Sequence, residues 1–217
     1  MKQDTADATR PALSRPQIVE VALSLVDAEG LERLTLRRLA EHLDVTPMAL
    51  YWHFSDKEAL LSALGEHLFD SIEFPGPGSD PLDELDAVLR SVVRSLSHHV
   101  AIAPLALSSV LTSDPGLVLA ERVLGLLCDA GLDDNTAANI GGVLLHSTVA
   151  LVTSIPRVVA KQGVGVVTSP HLDHYEVTSR LAAHLLVCDD VEGWLNDGLL
   201  LMMEGVRGLV ARSVTHR

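Results

Sequence analysis

Four adjacent side chains with chemistry suited to nucleic acid stand together at Tyr51, Trp52, His53 and Phe54. The 217-residue sequence has only two Trp, two Tyr and three Phe, so this short segment holds three of its aromatic residues. A phenol, an indole and an imidazole on a short exposed helix suit contact with phosphate groups and base edges. The alternative is an ordinary helical hairpin whose aromatic side chains fill a core.

The residues around this cluster predict two helices joined by a tight turn. Apolar residues recur at helical spacing in the first of them, at Leu36, Leu39, Ala40 and Leu43. Thr35 can cap this first helix, and Asp44 with Val45 can form the turn. Thr46 can cap the second helix with Pro47 at its first position, where a missing N–H costs nothing. We therefore predict a helix-turn-helix, which presents its second helix to the DNA major groove.

Residues from about Arg15 to Leu64 resemble the DNA-binding head of the tetracycline-repressor (TetR) family. A support helix ends at Gly30, and the segment Leu50–Phe54 followed by Lys57 is similar to that family's recognition helix and linker start. The resemblance implies an all-α protein with an N-terminal three-helix helix-turn-helix head and a C-terminal helical ligand-binding and dimerisation domain. It also implies a homodimeric repressor of palindromic operator DNA that a small-molecule effector releases.

The resemblance assigns DNA-binding roles residue by residue. Arg37 matches a position that can reach a guanine, and its planar guanidinium fits the O6/N7 pair. Positions that approach base edges are matched by Thr46, Pro47, Met48 and Ala49. Positions that contact phosphate are matched by Thr35, Tyr51, His53 and Lys57. Trp52 has two possible roles, packing under the head or contact with a phosphate.

The charge distribution suggests binding through a few specific contacts. The net charge is −13, which divides into −3 for residues 1–60 (seven basic, ten acidic) and −10 for residues 61–217 (nine basic, nineteen acidic). From Arg33 to Lys57 the balance turns positive, with four basic residues against three acidic ones. We therefore expect modest nonspecific affinity, with binding that depends on placed contacts and on dimer avidity.

Composition indicates a soluble globular protein of the reducing cytoplasm. The sequence is 47% hydrophobic and 21% charged, and Cys128 and Cys188 form no C-x-x-C pattern. Residues 1–12 are polar and lack the apolar segment of a signal peptide, so we expect a disordered arm. Residues 13–70 form the predicted DNA-binding domain with its linker helix, and residues 80–217 the ligand-binding and dimerisation domain, after a breaker-rich connection.

Helical periodicity continues through the second domain. The predicted helices are Leu82 to Val100, Pro104 to Leu111, Pro115 to Ala130, Asn135 to about Lys161, Leu172 to Leu186, and Val191 to Arg212. Residues 163–170 form the one long break, either a lid over a pocket or a plain surface loop. The last helix has an apolar heptad at Leu195, Leu199, Met202, Val206 and Leu209. Beside it, Gly198, Gly205 and Gly208 suggest close approach of another helix, either from a second chain or from the same one.

A polar stripe predicts where the effector binds. Asn139, His146 and Thr153 recur every seventh residue in an apolar helix, so they share a face. The alternative is that His146 lies in the core or at a dimer interface. These polar residues, with Pro156 and Arg157, also argue against a membrane span.

The effector is expected to bind without a metal or other cofactor. Tetracycline repressors bind their drug as a magnesium chelate through a histidine, yet the corresponding stretch here, residues 103–107, has none. His171 and His174 form an isolated pair that is weak evidence for a metal site. No catalytic arrangement stands out, so an enzyme is not expected. The alternative function is a helical small-molecule binder or enzyme whose head has lost DNA binding.

Overall fold

The chain is helical throughout the part that the structure describes. The computed structural model describes residues 13–74, 76, 80–154, 171–186, 188 and 190–215, and no strand occurs among them. The N-terminal helices are α1 (Arg15–Glu29), α2 (Leu36–Leu43), α3 (Pro47–Tyr51) and α4 (Lys57–Asp70), with a 3-10 turn at Leu31–Arg33. This is the predicted helix-turn-helix head with its linker helix.

The remaining helices of the described residues lie in the C-terminal part. They are α5 (Pro81–His98), α6 (Leu105–Ser109), α7 (Asp114–Asp129), α8 (Asp134–Thr153), α9 (Glu176–Leu186) and α10 (Val191–Thr215), with a 3-10 turn at Leu172–His174. Helix α5 packs against α7, α8 and α10, and α8 packs against α7 and α10. The predicted all-α fold with two helical parts is confirmed.

Several predicted boundaries differ from the observed ones. The helix predicted from Pro104 to Leu111 is observed as α6, which ends at Ser109. The helix predicted from Leu172 to Leu186 is divided at Tyr175 into a 3-10 turn and α9. Helix α8 ends at Thr153. The predicted continuation to Lys161, and the predicted break at residues 163–170, lie outside the described residues.

Local capping explains where the head helices begin and end. Ser14 and Gln17 form a reciprocal capping box at the start of α1, and Gly30 ends that helix with a φ of 90°. Helix α4 is capped by Asp56. Its Oδ1 accepts a hydrogen bond from the Ala59 N–H at 2.8 Å, while Ser55 donates to the same carboxylate.

Helix α4 belongs to both parts of the molecule. It packs on α1 in the head and on α5, α6 and α7 in the body. Beyond its C-terminus, Ser71 Oγ lies 2.7 Å from Ser95 Oγ, and the Glu73 N–H donates to Ser91 Oγ at 2.8 Å. These two hydrogen bonds join the segment after α4 to α5 of the body.

One side of the last helix, α10, packs against its own chain, and another side is open. Leu199 and Val206 of the predicted apolar heptad are buried within the chain. Gly198 contacts Leu151 of α8, so at this position the same-chain alternative is correct. Gly205, in contrast, has no neighbouring atom within 4 Å of where a Cβ would be.

Candidate nucleic-acid interface and internal cavity

Helices α2 and α3 are held in a fixed relation by their caps and their buried faces. Thr35 Oγ1 accepts from the Arg38 N–H at 3.1 Å, as predicted. Asp44 adopts the left-handed conformation (φ 52°, ψ 47°), which ends α2 and starts the tight turn. Leu50 and Phe54 are buried, so the opposite side of α3 faces solvent.

The ten predicted DNA-binding residues lie on or at the edge of this exposed surface. The exposed members are Thr35, Arg37, Thr46, Pro47, Met48, Tyr51 and Trp52. The half-buried members are Ala49, His53 and Lys57. The Thr46 side chain makes no capping hydrogen bond, contrary to prediction. The surface therefore presents hydroxyl, imidazole, ammonium and guanidinium groups beside apolar ones.

Two neighbouring arginines of α2 have different environments. The Arg38 Nη2 lies 2.5 Å from Glu29 Oε2, a partly buried pair that attaches α2 to α1. The Arg37 side chain is 84% exposed, and its Nε lies 3.4 Å from Glu41 Oε1. An exposed pair of this kind contributes little, so Arg37 can exchange it for a base or a phosphate at small cost.

Two aromatic residues near the end of α3 have opposite roles. Trp52 is 86% exposed, so it does not pack under the head, and the phosphate-contact alternative is the one its position allows. Phe54 is buried, and the Arg15 guanidinium lies 4.7 Å from the centre of its ring. This cation–π contact joins the start of α1 to the end of the recognition helix. The spacing of residues in the sequence did not predict this contact between Arg15 and Phe54.

The body contains a cavity of about 270 Å³ between α5, α7 and α8. Its lining is almost wholly aliphatic, with no aromatic and no charged side chain. The lining residues are Leu89, Val92, Val110, Leu111, Leu119, Ala120, Val123, Leu124, Ala138, Gly141, Gly142, Leu144, Leu145 and Thr148. Thr148 supplies the one polar side chain, and its hydroxyl already donates to the Leu144 carbonyl at 2.7 Å. The cavity suits an uncharged, apolar molecule.

The predicted ligand-binding stripe does not reach this cavity. Asn139, His146 and Thr153 share one face of α8, as their spacing predicts, but that face is exposed and none of the three lines the cavity. His146 Nδ1 lies 2.8 Å from the Gly142 carbonyl oxygen, and Thr153 donates to the Val149 carbonyl. Because α8 is apolar on several sides, its periodicity alone cannot show which side faces the interior. Thr148, the polar residue that does line the cavity, was missed.

Helix α8 also has the length and composition of a membrane-spanning segment, alone among the described helices. It nevertheless packs against α5, α7 and α10, and its outer face carries Asn139, His146 and Thr153. Polar side chains on an outward face are costly in lipid. One side of α8 packs on the body, and the other side is exposed and partly polar.

The rings of His171 and His174 stack with their centroids 5.8 Å apart. Within the described ranges, no three His, Cys, Asp or Glu side chains are grouped closely enough to hold a metal ion.

The cavity is connected to the head through the end of α6. Val110 and Leu111, which directly follow α6, line the cavity. The preceding residue, Ser109, is buried against Gly65 of α4 on one side and Gly116 of α7 on the other. A Cβ on Gly116 would lie 2.6 Å from the Ser109 carbonyl oxygen, so these glycines allow the three helices to approach closely. A molecule in the cavity thus lies one residue away from the contact with α4.

These features define a class of protein: a helical protein with a helix-turn-helix head and a second domain that has an aliphatic cavity partly open to solvent. Comparison with known families specifies it further. Residues 18–64 match the family described as bacterial regulatory proteins, tetR family, and residues 74–209 match the tetracyclin repressor-like C-terminal domain. The chain belongs to the TetR family of bacterial transcriptional regulators, and the resemblance noted from the sequence is confirmed.

Individual relatives agree with this assignment. The chain is 32% identical over 124 residues to an HTH-type transcriptional regulator of Saccharopolyspora erythraea, covering 57% of this chain and 52% of that one. It is 34% identical over 147 residues to the class C tetracycline repressor of Escherichia coli, covering 64% of this chain and 65% of that one. The chain therefore spans about half to two thirds of these relatives.

A solved structure with a similar fold is ActR from Streptomyces coelicolor, in its apo form. It has a TM-score of 0.75 and 27% sequence identity, covering 94% of this chain and all of that one (100%). ActR is also known in complex with actinorhodin.

Proposed function

We propose that this protein is a homodimeric, cytoplasmic repressor that binds palindromic operator DNA and is released by a small, largely apolar effector. The proposal rests on the contacts that connect the cavity to α4 through Ser109. Because α4 supports the exposed recognition helix, these contacts join a space that can hold a small ligand to the DNA-binding surface. In this scheme residues 13–70 form the DNA-binding domain, residues 80–217 bind the effector and dimerise, and residues 1–12 are an arm.

DNA recognition is assigned to the exposed surface of α2 and α3. Arg37 reads a guanine, since its guanidinium is free to leave a weak surface pair. The remaining polar groups fix the register of the head by contacting phosphates, and these belong to Thr35, Tyr51, Trp52, His53 and Lys57. Thr46, Pro47, Met48 and Ala49 lie nearest the base edges at the start of the recognition helix.

Dimerisation is assigned to the outward faces of α8 and α10. Val143 on α8 and Leu201 on α10 are large apolar residues that are mostly exposed, the latter by 76%. Gly205 lies beside Leu201 on α10 with open space above its backbone, which would let a second helix approach closely. We place His146 at this interface rather than in the cavity, because it occupies the same outward face of α8 as Val143.

Effector release follows from the geometry of the cavity. A bound molecule presses on Val110 and Leu111 and displaces Ser109, which moves α4 and changes the separation of the two recognition helices. Two heads that read successive major grooves must lie about 34 Å apart, so a small displacement of each removes the fit. The effector must bind the released state more tightly than the DNA-bound state, because only differential affinity shifts the population.

Effector chemistry is restricted by the lining. A charged ligand or a metal chelate would lose its hydration without finding a charged or unsatisfied polar partner, which is costly. ActR, of similar fold, is known with the small molecule actinorhodin bound, which supports a small-molecule effector here. We propose no catalytic role, because the cavity lining has no titratable side chain and its one hydroxyl is engaged.

Selection of operator DNA from a random library by the purified protein tests the proposal. The expected product is a palindromic site bound by one dimer. A screen of lipophilic compounds then identifies those that release this DNA, each measured with and without a chelator. Failure to enrich any sequence would reject the repressor function, and release that requires added magnesium would reject a metal-independent effector.

A further inference from the structure

Three large side chains with apolar surface are exposed next to one another at the recognition helix. Met48 is 66% exposed and Tyr51 is 51% exposed, and the large indole of Trp52 follows directly. No residue of the described chain covers them, although the buried face of the same helix is fully packed through Leu50. A cluster of uncovered apolar side chains on a soluble protein indicates a binding surface.

The polar groups available on α3 cannot distinguish bases by paired hydrogen bonds. Its exposed positions carry no amide, carboxylate or guanidinium group. The hydroxyls of Thr46 and Tyr51 offer one donor each, and Pro47 has no N–H. Bidentate reading of guanine or adenine requires a fork of donors or a donor and acceptor together. On α2 the exposed guanidinium of Arg37 offers such a fork, whereas that of Arg38 is paired with Glu29.

The position of Met48 brings it closest to the base edges. In helix-turn-helix proteins the N-terminal residues of the recognition helix contact bases. Met48 is the second residue of α3, whereas Tyr51 and Trp52 lie at its C-terminal end. The flexible thioether side chain can adapt to a small apolar protrusion, and thymine is the DNA base that presents one in the major groove, its C5-methyl group.

We infer that Met48, assisted by Pro47, reads the C5-methyl group of a thymine in each operator half-site, beside the guanine read by Arg37. This inference rests on the proposed repressor function and specifies how its DNA-binding surface selects sequence. The contact is one of apolar burial, so it depends on the methyl group and not on the hydrogen-bonding pattern of the base. A methyl group at C5 of cytosine at the same position would present the same apolar surface.

The experiment replaces thymine by deoxyuridine, which removes the methyl group and leaves base pairing unchanged. Each thymine of the selected operator is replaced in turn, and affinity is measured by fluorescence anisotropy at fixed salt. We expect one thymine position per half-site to be sensitive. Affinity should fall about fourfold for each methyl removed there and about fifteenfold when both half-sites are changed. In a site carrying cytosine at that position, 5-methylcytosine should recover part of the affinity.

Protein variants assign the effect to Met48. Met48→Ala should bind thymine and deoxyuridine operators alike, whereas Met48→Leu, which keeps an apolar side chain of similar volume, should retain the difference. Arg37→Ala should bind more weakly but still discriminate, and Val118→Ala, an exposed apolar change on α7, should behave as the wild type.

The outcomes separate this inference from the proposed function. If no operator is selected, the repressor function itself is rejected. If an operator is selected and no thymine is sensitive to deoxyuridine, only the methyl readout is rejected. Discrimination that persists unchanged in Met48→Ala would assign the methyl contact to another residue and overturn the role of Met48.

Discussion

Gly65 of α4 and Ser109 of α6 touch so closely that a side chain on the glycine would overlap the serine hydroxyl. The Leu105 carbonyl oxygen would lie 3.2 Å from the same added atom, so the backbone of α6 also limits the space. This contact joins the segment that leads into the cavity lining to the helix that supports the head.

Gly65→Ala should destabilise the protein by about 1 to 3 kcal/mol, since overpacking at a close helix contact forces the backbones apart. Adding Ser109→Gly, which removes the overlapping side chain, should recover part of the loss. Urea unfolding measures both. Gly125→Ala on α7 is the matched control, because its Cβ meets open space. Equal stability of Gly65→Ala and Gly125→Ala would show that the contact is not tight.

Arg37→Ala should weaken operator binding by about 1 to 3 kcal/mol and relax the preference at one base pair per half-site. Lys57→Ala should weaken binding to all sequences alike, because a phosphate contact carries no sequence information. Anisotropy over a series of single-base operator variants measures both. An unchanged preference profile in Arg37→Ala would remove its base-reading role.

Gly205→Leu should weaken the dimer by about 1 to 3 kcal/mol, because it places a side chain where we propose that two helices meet. The same change meets no atom of its own chain, so the folded protomer should persist. Sedimentation near the wild-type dissociation constant measures the dimer, and circular dichroism checks the fold. Gly125→Leu, an open position on α7, serves as the control; a wild-type dimer in Gly205→Leu would place the interface elsewhere.

Ala120→Leu should reduce effector affinity about tenfold or more, a loss of about 1.4 kcal/mol, because it fills part of the cavity. Val118→Leu on the same helix adds volume outside the cavity and should respond normally. His146→Ala should also leave effector affinity unchanged. The readout is the effector concentration that releases half of the bound DNA. If His146→Ala alone impaired release, the binding site would be on the outer face of α8 and not in the cavity.

Asp56 should make the stability of the head depend on acid pH. The hydrogen bond from the Ala59 N–H, and then that from the Ser55 hydroxyl, lower the pKa of Asp56 below its ordinary value. A lowered folded-state pKa means that the stabilisation is complete above the unfolded-state value and is lost as pH falls through the folded-state one. Asp56→Asn keeps a capping side chain but does not titrate. Its unfolding profile between pH 5 and 2, about the range over which a lowered aspartate titrates, should therefore be flatter than that of the wild type. Parallel profiles would show that Asp56 contributes nothing to the pH dependence.

The sequence predicted the structure best where the conformation depends on residues that are close together in the chain. Thr35, Asp44 and Pro47 act within one or two helical turns, so their caps and turn predicted the helix-turn-helix correctly. Residue type and neighbours could not decide whether Trp52 is buried or exposed, because an indole suits both environments. The outcome depends on which helices pack around it, which only the fold reveals.

The position of the cavity could not be predicted from the sequence, for a related reason. Its walls come from residues on four separate segments, such as Leu89, Val110, Ala120 and Gly141, whose common property is aliphatic character. The stripe containing His146 lies on one common face of α8, as its spacing predicts, but that face is turned outward. Helical spacing determines which residues share a face and carries no information about what the face meets.

The hydroxyl of Thr148 is already hydrogen-bonded within its own helix, and this affects how selectively the cavity can bind different molecules. A binding site without a free polar anchor orients a guest by shape alone. Burial of an added methylene contributes about 0.8 kcal/mol, which is about a fourfold change in affinity. We expect a graded response across a series of related lipophilic compounds, each acting at a concentration set by how much carbon it buries. Such a protein responds to the combined concentration of the apolar compounds that fit the cavity, rather than to one compound.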